Sequence, residues 1–225
     1  YMYTSNKVLG NSAITCTGPY FIPNLKTDVY GVYTNNVPGA AFRGFGAPQA
    51  LYMAELQMDK LAEKLGMDPL EFRLKNALRD GDTLGVGTPA PGPVTISKVM
   101  EEAAAKFGWK KSTSRTSKSG HLVRGRGFAA GFKNVGFSFG YQENCWAKVE
   151  IHGNGQIEKV IVHHAGAEVG QGTHTVMAQM AAEAVGVSAE RVEMRTSDTA
   201  TTQNSGSVSA MARAYTNPVH TACTS

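Results

Sequence analysis

Ala40 to Ala50 reads AAFRGFGAPQA, which sets one arginine between Phe42 and Phe45 and interleaves Gly44 and Gly46. These residue types suit the capture of an anionic group. Arg43 offers a charge-assisted donor, and the glycines let the backbone bend or come close to a bound molecule. Pro48 stands where an amphipathic pattern begins, a first-turn position at which its missing N–H costs nothing. Two later stretches repeat the arrangement: Gly170-Gln171-Gly172, and Ser205-Gly206-Ser207-Val208-Ser209. Each precedes a helical pattern, and bare N–H groups at the positive end of a helix favour anions. Gln171 adds an amide that donates and accepts, and Ser207 and Ser209 add hydroxyls. Three such loops in one chain point to a large ligand rich in phosphate or other heteroatoms.

Other chemistries are excluded by spacing. No G-x-x-x-x-G-K-[ST] occurs, and Gly44-Phe45-Gly46 lacks the third glycine of a dinucleotide fingerprint. His163 and His164 are adjacent in a strand pattern, so their side chains point to opposite faces; they read as partly buried histidines, not metal ligands. His174, in a first helical turn, has acid–base capacity but no carboxylate at a supporting spacing. No Ser-His-Asp or paired-carboxylate set is legible.

The elements that must position these loops follow from periodicity. KTDVYGVYTNNV, from Lys26, alternates as a strand. PQALYMAELQMDKLAEKLG places Leu51, Ala54, Met58, Leu61 and Leu65 on one helical stripe and stops at Gly66. Asp68-Pro69-Leu70-Glu71 opens a second helix to about Leu78, with Asp68 as N-cap and Glu71 at capping-box spacing. Thr95 caps a third, through Phe107, with Val94 and Val99 as its staple. CWAKVEIH and QIEKVIVHHA flank Gly153-Asn154-Gly155 and predict a hairpin. GQGTHTVMAQMAAEAVGV predicts a helix, RVEMRTS a strand, and the stretch ending at Cys223 a helix interrupted by Pro218. Strands and helices mix without strict βαβ order, so the fold class is α+β.

Composition narrows the class further. The chain has 225 residues, 42% hydrophobic and 18% charged, with a net charge of +4, and reads as globular. No run approaches the roughly 18 apolar residues of a membrane helix, and the N-terminus lacks a signal-peptide pattern. Cys16, Cys145 and Cys223 have no metal spacing and read as reduced thiols of a cytoplasmic protein. The chain begins without Met, which suggests part of a longer one. The basic, Ser-rich residues 110–120 read as a linker between domains at 1–109 and 121–225. Without interleaved aromatics this stretch gives no nucleic-acid partner.

Four blocks together, AFRGFGAPQA, DPLEFRLKNALRDGD, R-G-R-G-F at Arg124 to Phe128, and AEVGQGTHTVMAQMAAEAVGV, resemble the molybdenum-binding subunit of the xanthine dehydrogenase and aldehyde oxidase family. The resemblance covers the chain from about Pro19 onward. It implies parts of two molybdopterin-binding domains in an enzyme that hydroxylates an aldehyde or N-heterocycle with oxygen from water. It implies molybdopterin, as such or as its cytosine dinucleotide, carrying molybdenum held by the pterin rather than by side chains. By the same resemblance Arg43, Gly44, Phe45 and Gly46, then Gly170, Gln171 and Gly172, then Ser207, Val208 and Ser209 contact the cofactor. Phe45 and Phe139 sandwich a flat substrate. Partners implied are iron–sulfur (2Fe-2S) and flavin (FAD) domains or subunits and a small aromatic or aldehyde substrate.

Departures from the family accompany these matches. The general-base glutamate of a G-V-G-E segment is expected beyond Ser225, so no catalytic residue is assigned here and the chain alone is expected to be inactive. Asn11 stands where purine hydroxylases carry an arginine, which speaks against xanthine. The chain reads as a central slice that exposes apolar surface and self-associates. The alternative is a non-catalytic module, derived from such an enzyme, that binds a phosphate-bearing ligand or a partner.

Overall fold

The computed structural model describes residues 2–37, 39, 41–111, 116–134, 146–196, 198 and 200–202. Helices and small mixed sheets make it α+β, arranged in two units, Tyr1–Lys133 and Asn134–Ser225. That division falls later than residues 110–120 because the chain beyond them stays on the first unit. Arg126 lies 5.1 Å over the Trp109 ring, Phe128 packs edge-on against Trp109, and Ala130 donates its N–H to Glu55 Oε2 at 2.9 Å.

The first unit holds α1 (Met2–Thr15), α2 (Ala47–Lys64), α3 (Pro69–Asn76), α4 (Ile96–Phe107) and a hairpin of β1 (Thr116–Ser119) with β2 (Leu122–Gly125). α1, which periodicity alone does not predict, packs on α2, and α2 on α3. Asp68 caps α3 as expected, accepting from the amides of Leu70 (2.9 Å) and Glu71 (3.2 Å). α3 ends at Asn76, short of Leu78, because Ala77 turns extended and bridges to Tyr20. Thr95 occupies the N-cap of α4 without a side-chain cap bond, and Gly108 ends that helix in the left-handed conformation.

Residues 26–37 form no strand: everything from Phe21 to Val37 is exposed, and no described segment pairs with it. Alternation makes a strand only where a neighbour takes the backbone N–H and C=O groups. The buried stripe of α2 is also rotated. Ala47, Glu55, Met58 and Ala62 face inward, while Leu61 and Leu65 lie outside.

Glu55 is tolerated inside because its charge is matched. Arg73, with no exposed surface, donates from Nε to Glu55 Oε2 (2.8 Å), from Nη1 to Pro69 O (3.1 Å) and from Nη2 to Glu55 O (3.2 Å); Nη2 also lies 3.0 Å from Asp59 Oδ1. Tyr20 donates its hydroxyl to Glu55 Oε1 at 2.5 Å. Burial opposes the charge on Arg73, yet Glu55 and the neighbouring groups hold its pKa above the usual value. Burial, reinforced by Glu55, pushes the Tyr20 phenol far up.

The second unit is a three-stranded sheet in the order β3 (Ala147–Gly153), β4 (Ile157–His164), β5 (Val192–Thr196). β3 and β4 are antiparallel around the predicted turn, from Ala147↔His164 to His152↔Lys159, with an irregularity at Gly153. β4 and β5 are parallel, connected through α5 (Thr173–Val185). Val160, Val162, Met177 and Ala181 form the core between sheet and helix. Among the described residues no helix is long and apolar enough to cross a membrane.

Candidate cofactor-binding loops

The first loop is a tight double turn leading into α2. Phe45 donates its N–H to Phe42 O (2.8 Å), and Ala47 donates to Gly44 O (3.1 Å). Gly44 and Gly46 both have φ of 93° and Phe45 has 49°, so three consecutive residues are left-handed. For Phe45 that conformation costs about 1 kcal/mol, strain of a kind that collects at functional sites. Gly46 is required for space as well as φ: a Cβ there would lie 2.2 Å from Val8 O and 2.5 Å from Ser12 Oγ. Ser12 donates its hydroxyl to Gly46 O at 3.1 Å, seating the loop on α1.

The Phe45 N–H in this loop is used internally, whereas those of Arg43, Gly44 and Gly46 meet no acceptor among the described residues. The Ala47 N–H is used internally and Pro48 has none. The loop's attraction for an anion therefore rests on the guanidinium of Arg43, the N–H groups of Arg43, Gly44 and Gly46, and the α2 dipole. Arg43 is exposed and makes no ion pair among the described residues. Phe42 is exposed too, so the hydrogen-bonded turn, and not burial of that ring, fixes the loop.

The second loop joins β4 to α5. Gly170 (φ 94°) and Gly172 (φ 78°) supply its left-handed turns. Their amides donate to Glu168 Oε1 at 2.7 and 3.0 Å. Those bonds, led by the one from Gly172, hold the Glu168 carboxyl below the usual carboxylate range. Gln171 folds back: its Oε1 accepts from Val169 N (2.7 Å) and its Nε2 donates to Ala167 O (2.9 Å). At the root of the loop Gly166 donates to His164 Nδ1 at 2.9 Å, and His174 Nε2 lies 2.9 Å from Gly166 O. The expected third loop, Ser207, Val208 and Ser209, and the expected substrate ring of Phe139 lie outside the described residues, as do Cys145 and Cys223.

His163 and His164 do point to opposite faces. His164 sits against α5, its pKa pushed down to about 4 by burial and then by His174. His163 is buried on the other face, with Nε2 3.1 Å from Glu150 Oε1. Among the described residues no three His, Cys, Asp or Glu side chains are placed to hold a metal ion. Sequence reasoning missed Glu168, Tyr20, Glu55, Asp59 and Arg73. Glu55 left a signal, since it follows Leu51 by four residues and precedes Met58 by three, where an apolar residue belongs.

The fold itself shows that this donor set suits an anion, because the Gly170 and Gly172 amides already hold a carboxylate oxygen. That fits a cofactor with anionic oxygens. Two family models of the molybdopterin cofactor-binding domain match the chain, over residues 1–77 and 102–225. The aldehyde oxidoreductase of Megalodesulfovibrio gigas is 36% identical over 190 residues, 83% of this chain and 20% of that protein. A probable xanthine dehydrogenase component of Bacillus subtilis is 34% identical over 203 residues, 90% of this chain and 26% of that protein. The crystal structure of the aldehyde oxidoreductase from Desulfovibrio desulfuricans matches 90% of this chain and 22% of its own, at 30% identity and a TM-score of 0.64. The chain belongs to the molybdopterin cofactor-binding family, within the molybdenum-binding subunit of the xanthine dehydrogenase and aldehyde oxidase enzymes. It spans about a fifth to a quarter of the length of those relatives.

Proposed function

We propose that this chain supplies molybdopterin-contacting loops to a molybdenum hydroxylase that oxidises an aldehyde or an N-heterocycle. The observation that carries the reading is the β4–α5 loop, whose glycine amides hold an anionic oxygen in a protein matched by two molybdopterin-domain models. The relatives named aldehyde oxidoreductase and xanthine dehydrogenase support the two substrate classes. When bound, the cofactor supplies two-electron oxidation of the substrate carbon, with water as the oxygen source and 2Fe-2S and FAD groups on other domains or subunits as electron acceptors.

The chain's own residues bind and orient. Arg43 neutralises anionic oxygens, and the strained Phe42–Gly46 turn fixes where its Cα stands. Gln171 turns its amide from the local backbone towards the cofactor, while Gly170 and Gly172 keep the backbone in the left-handed form that turn needs. Ser207, Val208 and Ser209 complete the contacts, and Phe45 and Phe139 flank a flat substrate.

The test is metal analysis of the chain purified from a host that makes the cofactor, with fluorescence of the oxidised pterin released on denaturation. Molybdenum and pterin in equal, near-stoichiometric amounts, both lost in Arg43→Ala and Gln171→Ala proteins that still melt normally, is the expected result. Wild-type protein that is folded yet free of both would sink the proposal that this chain binds the cofactor.

A further inference from the structure

The peptide of Gly166 is gripped from both sides. Its N–H donates to His164 Nδ1 and its carbonyl meets His174 Nε2, each at 2.9 Å. The two rings stack edge to face, with centroids 5.3 Å apart. This pattern assigns the protons: His164 accepts at Nδ1 and so carries its hydrogen on Nε2, while His174 must carry one on Nε2 to donate. Gly166 is buried, and four residues later the backbone reaches Gly170.

We propose that His164 and His174 are positioning residues that clamp the Gly166 peptide and thereby set the Gly170–Gly172 loop for its cofactor, and that the clamp closes only while His164 is neutral. The proposal rests on the cofactor reading of that loop. A proton on His164 Nδ1 would set a donor against the Gly166 N–H, and its charge would face the His174 ring.

Few other groups on this face could offset that charge. Strand alternation sends Lys148, Glu150, Lys159, His163, Glu193 and Arg195 to the opposite face of the sheet. The residues paired with His164 are Ala147 on β3 and Thr196 on β5. Among the described residues, α5 presents His174, and the loop presents Glu168, whose carboxylate is engaged with glycine amides. The sign follows from the depressed pKa of His164, about 4 against the ordinary 6.5. Its contribution to the closed loop is fully present above about pH 6.5 and is lost as pH falls towards 4. Between pH 7 and 5 the opening equilibrium should rise about twenty-fold.

Hydrogen–deuterium exchange of the 165–172 segment, corrected for the intrinsic pH dependence, reads this directly. Wild type should show that rise while the amides of β4 stay protected. His164→Asn, whose carboxamide oxygen stands in for Nδ1 but does not titrate, should flatten the profile. His174→Gln keeps a donor at the place of Nε2 and should protect the loop at pH 7, whereas His174→Phe keeps the ring contact but opens it at least tenfold. A His164→Asn profile as steep as wild type, or a His174→Phe loop as protected as wild type, overturns the clamp. If His174→Phe unfolds the unit, the His164→Asn profile alone decides. In protein loaded with molybdenum cofactor, a brief exposure to pH 5 should release molybdenum from wild type and not from His164→Asn. Molybdenum absent from every variant at every pH refutes the cofactor reading instead, and the exchange profile then judges the clamp by itself.

Discussion

Replacing Glu55 by glutamine keeps the side-chain volume and removes one buried charge. Glu55 takes three donors on two oxygens: the Tyr20 hydroxyl at 2.5 Å, Arg73 Nε at 2.8 Å and the Ala130 amide at 2.9 Å. In Glu55→Gln the carboxamide N–H can turn to Tyr20, whose oxygen accepts, leaving one oxygen for the other two donors. The hydrogen bonds are therefore largely recoverable, and the electrostatic cost is not. Arg73 has no exposed surface, and its remaining counter-charge is Asp59, 3.0 Å away and partly exposed. Breaking a buried pair from one side costs about 3–5 kcal/mol; with Asp59 in place the lower end, about 3 kcal/mol, is expected. Removing both charges in Glu55→Leu with Arg73→Met leaves no orphaned ion, so the double variant should cost clearly less than the sum of the two single ones. The assay is urea unfolding followed by Trp109 fluorescence in a Trp146→Phe background, with hydrogen exchange of residues 128–133 reporting the Ala130 contact. A Glu55→Gln loss below about 1 kcal/mol, or additive single and double variants, would refute the claim that the buried charge pair organises α2 and α3.

Gly46→Ala should destabilise the first unit by about 3 kcal/mol, combining left-handed strain with the clash against Val8 O; chemical denaturation reads it. Met177→Ala removes a fully buried side chain beside Val160 and Val162 and should cost the second unit about 3 kcal/mol, measured by loss of α5 and β4 exchange protection. Asp68→Ala deletes a cap with two amide bonds and the acceptor of Trp109 Nε1, so about 1–2 kcal/mol and a shifted Trp109 emission are expected. Arg43→Ala, at an exposed position without an ion pair among the described residues, should leave the unfolding free energy within about 0.5 kcal/mol of wild type. Its effect should appear in molybdenum content alone.

What was legible in the sequence depended on whether local chemistry or long-range packing decided the outcome. Asp68-Pro69 fixed a helix start because the cap bonds span two and three residues. The Gly153-Asn154-Gly155 turn fixed the β3–β4 hairpin for the same reason. The 26–37 segment failed because its alternation required a partner strand that lies nowhere in the described fold. The phase of α2 failed because hydrophobic counting places glutamate outside, while Arg73, eighteen residues away, draws it in. In the candidate site the glycine loops were visible, since their conformation is intrinsic to glycine. Glu168 and the two histidines around Gly166 were not, because the partners of a side chain folded back on its own loop depend on a turn geometry that residue types alone do not state.

α2 carries the Phe42–Gly46 turn at its first residue and the Glu55–Arg73 pair near its middle. Its 18 residues make a rod of about 27 Å that stretches or bends little over that distance. Arg43 and the buried pair are therefore mechanically in series. A side-chain change at Tyr20, Asp59 or Arg73 that shifted the middle of the rod by about 1 Å would carry its tip along by a similar amount. Displacements of that size cost about a hundred-fold where reacting groups must be held in register. The loop proposed to meet the cofactor is thus tuned from the interior of the first unit, so buried residues remote from it act as its set-screws.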